Sequence, residues 1–330
     1  QNKLAKASIL FFLIHILGLL WSTNVIWGVE IVRKMLPFFF VLPVFLTITR
    51  QDNIKYYIGA FLLGISISET LSYLIWFEVI DPFKYATLSN PTPLMSHISY
   101  NPFLAFAIYL VLNKLFSGEK ISQIERATYT FFSITMTINM FITGGRAGQV
   151  MFFAAIVIVM FQYFRNSQIK AILTSSILII LISYTAFNLS PTFQARVNSA
   201  FDNVINFDEK RNTSVGQRIT FVMNSYELFK KEPFLGVGTG DFPGEYQKIN
   251  LINTPQVKTT TQPHNMYMLV LSQLGLLGLT SFLLIFYFQI KIALTSRVLY
   301  IKHLGVAMPL LFLIIMWSDS YLLGHFTGNL

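Results

Sequence analysis

Apolar stretches long enough to cross a lipid bilayer, or nearly so once helix tilt is allowed, recur along most of this chain of 330 residues. A run of about 20 apolar residues spans the hydrocarbon core as an α-helix, which satisfies its backbone polar groups internally. Pro37 and Pro43 predict a kink in the second stretch. We predict nine spanning helices, at about residues 5–21, 31–49, 56–80, 98–116, 127–143, 149–164, 171–189, 264–290 and 304–318. The predicted fold class is an all-α polytopic membrane protein.

The amino-acid composition points the same way. Hydrophobic residues make up 54% of the chain and charged residues only 12%, whereas a typical globular protein has about 25% charged residues. So few charges cannot cover a water-exposed surface. The composition therefore excludes a disordered chain, a coiled coil and an ordinary cytosolic enzyme.

The chain has no cysteine, which excludes disulfides, a thiol nucleophile, thiolate zinc sites and iron–sulfur clusters. The five histidines are His15, His97, His264, His303 and His325. None of them forms the i, i+4 pair of a helical metal site. We therefore expect neither a metal nor a cofactor.

The basic residues indicate the orientation of the helices. They occur singly between apolar runs, which is typical of membrane topology and not of a nucleic-acid-binding surface, despite a net charge of +9. With a cytoplasmic N-terminus, twelve Lys and Arg residues lie on the cytoplasmic side and four lie in short outer loops, as the positive-inside rule expects. The four outer residues are Arg33, Lys34, Lys84 and Arg146.

One long polar stretch, residues 190–263, lies outside in this orientation. It divides the chain into a transmembrane bundle over 1–189, an external loop over 190–263 and C-terminal transmembrane helices over 264–330. The first apolar run, Ile9–Trp21, lacks a small-residue cleavage site, so we interpret it as a spanning helix and not as a signal peptide.

The long loop contains a predicted amphipathic helix at about 216–231, capped by Thr213 or Ser214 and ended by Pro233. Its predicted apolar face consists of Ile219, Val222, Tyr226 and Phe229. Arg218 lies in the first turn, and we expect the helix to lie over the membrane face of the bundle.

The segment 143–148, Thr-Gly-Gly-Arg-Ala-Gly, joins two spanning helices at the outer face. Gly144 and Gly145 can free backbone N–H groups for an anionic ligand at a helix N-terminus, and Arg146 adds a planar guanidinium suited to phosphate. The alternative is structural, because a tight turn needs glycine and an arginine at a membrane boundary often only extends toward water.

Pro263, His264 and Asn265 open the eighth predicted helix. Imidazole titrates near neutral pH, so His264 can act as a general base at the outer end of this helix. The alternative is an interfacial histidine that is hydrogen-bonded to water or to a carbonyl.

Three further features are weaker candidates. Glu69, in the middle of the third predicted span, is functional or is a hydrogen-bonded structural residue. The Gly-rich segment 236–240 is not a dinucleotide-binding motif, because no strand precedes it, and we expect a tightly turned loop near a ligand. Asp319 and His325 lie at the outer face near the C-terminus.

These segments, in this order, resemble the O-antigen ligase and O-antigen polymerase superfamily of bacterial envelope glycosyltransferases. The resemblance rests on the outer Gly-Gly-Arg turn, on SVGQRITFVMNSYELFKKEPFLGVGTGDF at 214–242, on PHNMYMLVLSQLGLLGL at 263–279 and on GLLWST at 18–23. Two departures are Gly145, where ligases often have Ser, and Gln273, where Glu is common.

The resemblance implies a glycosyltransferase C-type helical bundle with one long periplasmic loop that contains amphipathic helices. It also implies that Arg146, Arg218 and His264 are the functional trio, with Gly144, Gly145 and Asn265 beside the substrate. Family ligases have twelve helices with the loop after the ninth, so we expect two helices to be missing before this chain and one after it.

The implied activity is transfer of O-antigen glycan from undecaprenyl pyrophosphate to a hydroxyl of the lipid A core, at the periplasmic face of the bacterial inner membrane. Polymerisation with a growing glycan as acceptor is the runner-up, and protein O-glycosylation is third. A transporter or flippase of lipid-linked glycan belongs to another class, which predicts inverted repeats and paired intramembrane charges. Glu69 is the one acid deep in a span, and we find no repeat.

Overall fold

The computed structural model describes residues 2–118 and 120–323. Within these ranges the chain is helical and contains no β-strand. The α-helices are α1 (Lys3–Leu17), α2 (Val25–Phe39), α3 (Val41–Ile48), α4 (Ile54–Trp76), α5 (His97–Phe116), α6 (Gln123–Ile142), α7 (Arg146–Tyr163), α8 (Gln168–Leu189), α9 (Pro191–Ile205), α10 (Ser214–Lys231), α11 (Phe242–Asn253), α12 (Met266–Leu294) and α13 (Leu299–Ile315). Two short 3₁₀ helices occupy Gln51–Asn53 and Tyr321–Leu323.

Each of the nine predicted spans coincides with helix. Among the described residues, six helices are long and apolar enough to cross a membrane, namely Val25–Ile48, α4, α5, α7, α8 and α12. Three other helices that coincide with predicted spans are not among the six, namely α1, α6 and α13. α13 is apolar but has only 17 residues, and α1 has only 15. The prediction of an all-α polytopic membrane protein is confirmed.

The predicted kink between Pro37 and Pro43 is also confirmed. The helix over Val25–Ile48 is interrupted at Phe40, so that α2 contains Pro37 and α3 contains Pro43. Proline has no backbone N–H and clashes with the preceding turn, which explains an interruption at this place.

The described residues form two compact units. The first unit comprises those within Gln1–Thr49, Ala200–Ile292 and Met316–Leu330, and therefore holds α1 to α3, α10, α11 and most of α12. The second unit comprises those within Arg50–Ser199 and Ala293–Ile315, and holds α4 to α8 and α13. α9 begins in the second unit and ends in the first.

The long polar stretch 190–263 is largely helical, because it contains α9, α10 and α11. α10 begins where the sequence predicts, and its cap is Thr213, whose side chain accepts the N–H of Gly216. Lys231 ends the helix two residues before Pro233, as predicted.

The predicted apolar face of α10 is wrong. The buried face consists of Gly216, Thr220, Phe221, Asn224, Ser225 and Leu228, whereas the predicted residue Tyr226 is 48% exposed. The reason is a polar contact with α11. The Asn224 amide donates to Thr254 Oγ1 at 2.7 Å, and it also contacts Asn250 and Tyr246. Polar residues that find partners can occupy an interior face at the expense of apolar ones.

The Gly-rich segment 236–240 packs, backbone to backbone, against a break in α12 within the first unit. Gly275 has φ +60 inside α12, where L-residues with a side chain are strained. Val237 N–H donates to Ser272 O at 2.9 Å, and Gly238 N–H donates to Gln273 O at 3.0 Å. A Cβ on Gly236 would lie 2.4 Å from Leu274 N, so this approach requires glycine. The predicted tight turn is confirmed.

The same segment also holds the turn between α1 and α2. The carboxylate of Asp241 accepts the N–H groups of Thr23, at 2.8 Å, and of Asn24, at 2.7 Å. Thr239 Oγ1 donates to His15 O at 2.8 Å. Two motifs that carry the family resemblance, 18–23 and 236–242, are therefore in direct contact and build the scaffold of the first unit.

Candidate active site

His264 and Asp319 form a hydrogen-bonded pair in the first unit. Nδ1 of His264 lies 3.0 Å from Oδ1 of Asp319. The Asp319 side chain is 1% exposed, whereas that of His264 is 30% exposed. When Nδ1 carries the proton and donates a hydrogen bond to the carboxylate, Nε2 is left with a free lone pair. The arrangement is that of an oriented general base whose partner is shielded from water.

The backbone that follows His264 is held in place by one segment that is distant in sequence. His264 has φ +50, an uncommon conformation for a residue with a side chain. Immediately after it, Asn265 Oδ1 accepts the N–H of Met268 and caps α12, while its amide donates to Trp317 O at 3.2 Å. Met266 N–H donates to Met316 O at 2.9 Å. The start of α12 is thereby tied to the segment that carries Asp319.

Arg218 reaches the neighbourhood of this pair from α10. The pKa of the Tyr321 hydroxyl lies well above its usual value, mainly because the group is buried and secondly because of the negative charge of Asp319. The positive charge of Arg218 acts on the same hydroxyl in the opposite direction. Three residues after Arg218, the Phe221 ring stacks on the His264 imidazole with a centroid distance of 6.0 Å. Through the contact between Phe221 and His264, the structure places α10, the helix that carries Arg218, beside His264.

Arg146 is the first residue of α7, in the second unit. The preceding turn is built for close packing. Gly144 N–H donates to Asn90 Oδ1 at 2.7 Å, and a Cβ on Gly145 would lie 2.6 Å from the Asn101 side chain. A Cβ on Gly148 would lie 2.2 Å from the same side chain. These glycines let α7 approach α5.

Arg196 is a residue that the sequence analysis did not single out. Its Nη2 atom lies 3.1 Å from the position that a Cβ on Gly144 would occupy, so its guanidinium borders the turn that leads into Arg146. In the sequence it is one of eight basic residues in the long polar stretch, and nothing in its spacing separates it from the others. Arg146 and Arg196 thus flank one turn of the second unit.

Asp319 is the other residue whose importance the sequence understated, since it appeared only as a weaker candidate. The remaining candidates lie elsewhere. Glu69 is buried in α4, three residues before Ser72, whose hydroxyl accepts from the Asn139 amide at 3.0 Å. His325 lies outside the described residues. In the part of the chain that the structure describes, no group of three or more His, Asp or Glu side chains is placed to hold a metal ion.

Comparison with known proteins identifies a family that matches part of the chain. Residues 131–283 match the model of a family described as O-Antigen ligase. This segment of the chain is therefore similar to that family. It includes Arg146, Arg196, Arg218 and His264, and it ends before Asp319.

The chain is also similar to an uncharacterized protein of Haemophilus influenzae, with 28% identity over 205 residues. The matched part covers 59% of this chain and 51% of the relative, so the chain spans about half the length of the curated relative that it matches.

Proposed function

We propose that this chain belongs to a membrane glycosyltransferase that moves a glycan from a polyprenyl pyrophosphate carrier, undecaprenyl pyrophosphate, to an acceptor hydroxyl. The observation that carries the proposal is the pairing of a partly exposed His264 with a buried Asp319. The family of residues 131–283 supports it independently.

His264 is the proposed catalytic base. Its Nε2 takes the proton of the acceptor hydroxyl while that oxygen attacks the anomeric carbon of the donor sugar. The bond between the anomeric carbon and the pyrophosphate oxygen breaks, and the lipid pyrophosphate leaves with the electron pair. Asp319 is a positioning residue, because its carboxylate orients the imidazole and stabilises the imidazolium that forms.

Arg218 and Arg146 are the proposed ligands of the donor pyrophosphate. A guanidinium offers two parallel N–H donors to phosphate oxygens and can offset the charge that the leaving group gains. We add Arg196 to this set because it flanks the same turn as Arg146. The role proposed for Gly144, Gly145 and Asn265 is to shape the site. The amide N–H of Gly144 and the side chain of Asn265 already make hydrogen bonds within the protein, so these groups are not the donors proposed for the pyrophosphate.

The proposed acceptor is the lipid A core, with the active site at the periplasmic face of the inner membrane. The ligase reaction is the one we propose, and polymerisation with a growing glycan as acceptor is the alternative within the same family. The orientation can be tested with single cysteines, because the chain has none of its own. A cysteine at position 88, in the loop between α4 and α5 where Leu88 is 52% exposed, should react with a membrane-impermeant maleimide in intact spheroplasts, and one at position 120 should react only after lysis. Reaction of position 88 from the cytoplasmic side alone would contradict the orientation.

The reaction itself is tested with the full-length protein in proteoliposomes, supplied with purified lipid-linked glycan and lipid A core. Glycan attached to the core supports the ligase reaction. A longer glycan on the lipid carrier, together with an unmodified core, would indicate the polymerase reaction instead of the ligase reaction. Movement of the donor across the bilayer without new glycosidic bonds would indicate a transporter.

A further inference from the structure

A polar cavity of about 150 Å³ lies in the first unit, and some of the residues that line it are close in sequence to His264 and Asp319. Its polar lining comes from Trp27 and Lys34 of α2, from Thr261 and Gln262, and from Ser320. The volume is several times what one water molecule needs, so the cavity can accept a sizeable part of a ligand.

Three polar atoms of this lining are buried without a hydrogen-bond partner among the residues that the structure describes. They are Trp27 Nε1, Gln262 Oε1 and Ser320 Oγ. Ser320 is 1% exposed. Buried polar groups in proteins are nearly always hydrogen-bonded, and an unpaired group calls for a specific explanation. Three such atoms around one cavity indicate a ligand that supplies the missing partners.

The chemistry of the lining describes that ligand. An indole N–H donates, an amide oxygen accepts and a serine hydroxyl does both, which complements a molecule with several hydroxyl groups. Lys34 is the one cation among the residues that line the cavity, and no guanidinium is present there. A pyrophosphate would call for more positive charge, so the lining fits an uncharged sugar ring better than the donor's phosphates.

The position of the cavity relates it to the catalytic pair. Gln262 precedes His264 by two residues, and Ser320 directly follows Asp319, whose Oδ1 accepts the Ser320 N–H at 2.8 Å. The two segments that hold the base therefore also line the cavity. We infer that the cavity binds a sugar ring of the acceptor through its hydroxyl groups and presents that acceptor to His264. This inference rests on the proposed transferase function.

The test uses two variants that remove one polar atom each and change little else, Trp27→Phe and Ser320→Ala. Matched controls are Trp76→Phe in α4 and Ser133→Ala in α6, both outside the proposed machinery. Each protein is assayed in proteoliposomes, first with lipid-linked glycan at saturation and lipid A core as the varied acceptor, and then with lipid A core at saturation and the donor varied. We expect the acceptor KM to rise roughly tenfold in each cavity variant, the factor that corresponds to one lost hydrogen bond. The donor KM and the controls should stay unchanged.

Direct binding separates this inference from the proposed function. Core oligosaccharide is titrated against the purified protein in detergent without donor, with monodisperse elution as the criterion of folding. Weaker binding by the folded variants Trp27→Phe and Ser320→Ala supports the subsite, whether or not the wild type transfers glycan. Absence of transfer by the wild type would contradict the proposed function but not the subsite. Wild-type acceptor KM and wild-type binding in both variants would overturn the subsite while transfer continues. A rise confined to the donor KM would also overturn it.

Discussion

Oδ1 of Asp319 lies 3.0 Å from Nδ1 of His264, although 55 residues separate them in the chain. The carboxylate is buried and the imidazole is partly exposed, so one partner is shielded and the other can meet a substrate. In the proposed transferase reaction, His264 is the base and Asp319 is the residue that positions it.

Replacing Asp319 by Asn should lower kcat by roughly 10²- to 10⁴-fold, because an amide can hold the imidazole in the wrong tautomer while filling the same space. Donor affinity should not change, since Asp319 contacts no substrate in the proposed mechanism. Steady-state kinetics and a donor-binding titration measure both quantities. A parallel loss of kcat and donor affinity would point to a general structural defect instead.

His264→Asn is the informative variant of the base, because asparagine tolerates the left-handed backbone, φ +50, that His264 adopts. We expect a loss of roughly 10²- to 10⁴-fold in transfer rate with donor lipid still bound, since base catalysis acts on the acceptor's proton. The rate is measured in single-turnover assays. Near-normal turnover in this variant would show that His264 is a structural residue.

Arg146→Ala, Arg196→Ala and Arg218→Ala should each weaken donor binding as well as transfer. Arg→Lys at the same positions should restore only part of the loss, because an ammonium cannot reproduce the two-pronged contact of a guanidinium. Arg33→Ala is the matched control, since Arg33 forms an exposed ion pair with Glu30. Binding of purified lipid-linked glycan is the readout. Wild-type donor affinity in Arg196→Ala would remove Arg196 from the proposed set.

Transfer should proceed at an unchanged rate in excess EDTA. Guanidinium groups can offset the charge of a departing pyrophosphate without a metal ion. The measurement is the initial rate of transfer with and without chelator. Loss of activity that magnesium or manganese restores would show that the reaction needs a divalent cation.

Gly275→Ala should destabilise the first unit without touching the catalytic pair. Its φ is +60, and a Cβ there would lie 2.4 Å from the backbone of Phe234. Strain and overpacking together should lower the free energy of unfolding by about 2–4 kcal/mol. Gly244→Ala in α11 is the control, because a Cβ there meets nothing within 4 Å and should change stability by less than about 1 kcal/mol. Thermal unfolding in detergent compares the two, and equal Tm values would contradict the prediction.

Local patterns in the sequence were sufficient to predict where α1 to α8, α10, α12 and α13 lie, but not α9 and α11. The apolar runs, the Thr213 cap and the stop before Pro233 concern neighbouring residues. The cap and the stop are confirmed, each apolar run coincides with helix, and six helices among the described residues are long and apolar enough to cross a membrane. The buried face of α10 was mispredicted for a reason that is not local. Asn224 became an interior residue because Thr254, Asn250 and Tyr246 of another segment satisfy its amide.

The sequence by itself determined that this protein is a bundle of apolar helices, and it placed Arg218 and His264 among the candidate residues. Only the tertiary structure decided that Asp319 holds His264, that Arg196 flanks the turn before Arg146, and that the Gly-rich segment 236–240 supports the α1–α2 turn. The physical reason is that hydrophobicity and helix capping act between residues close in sequence. Hydrogen bonds between distant segments, and glycines that permit backbone contact, depend on which surfaces pack together.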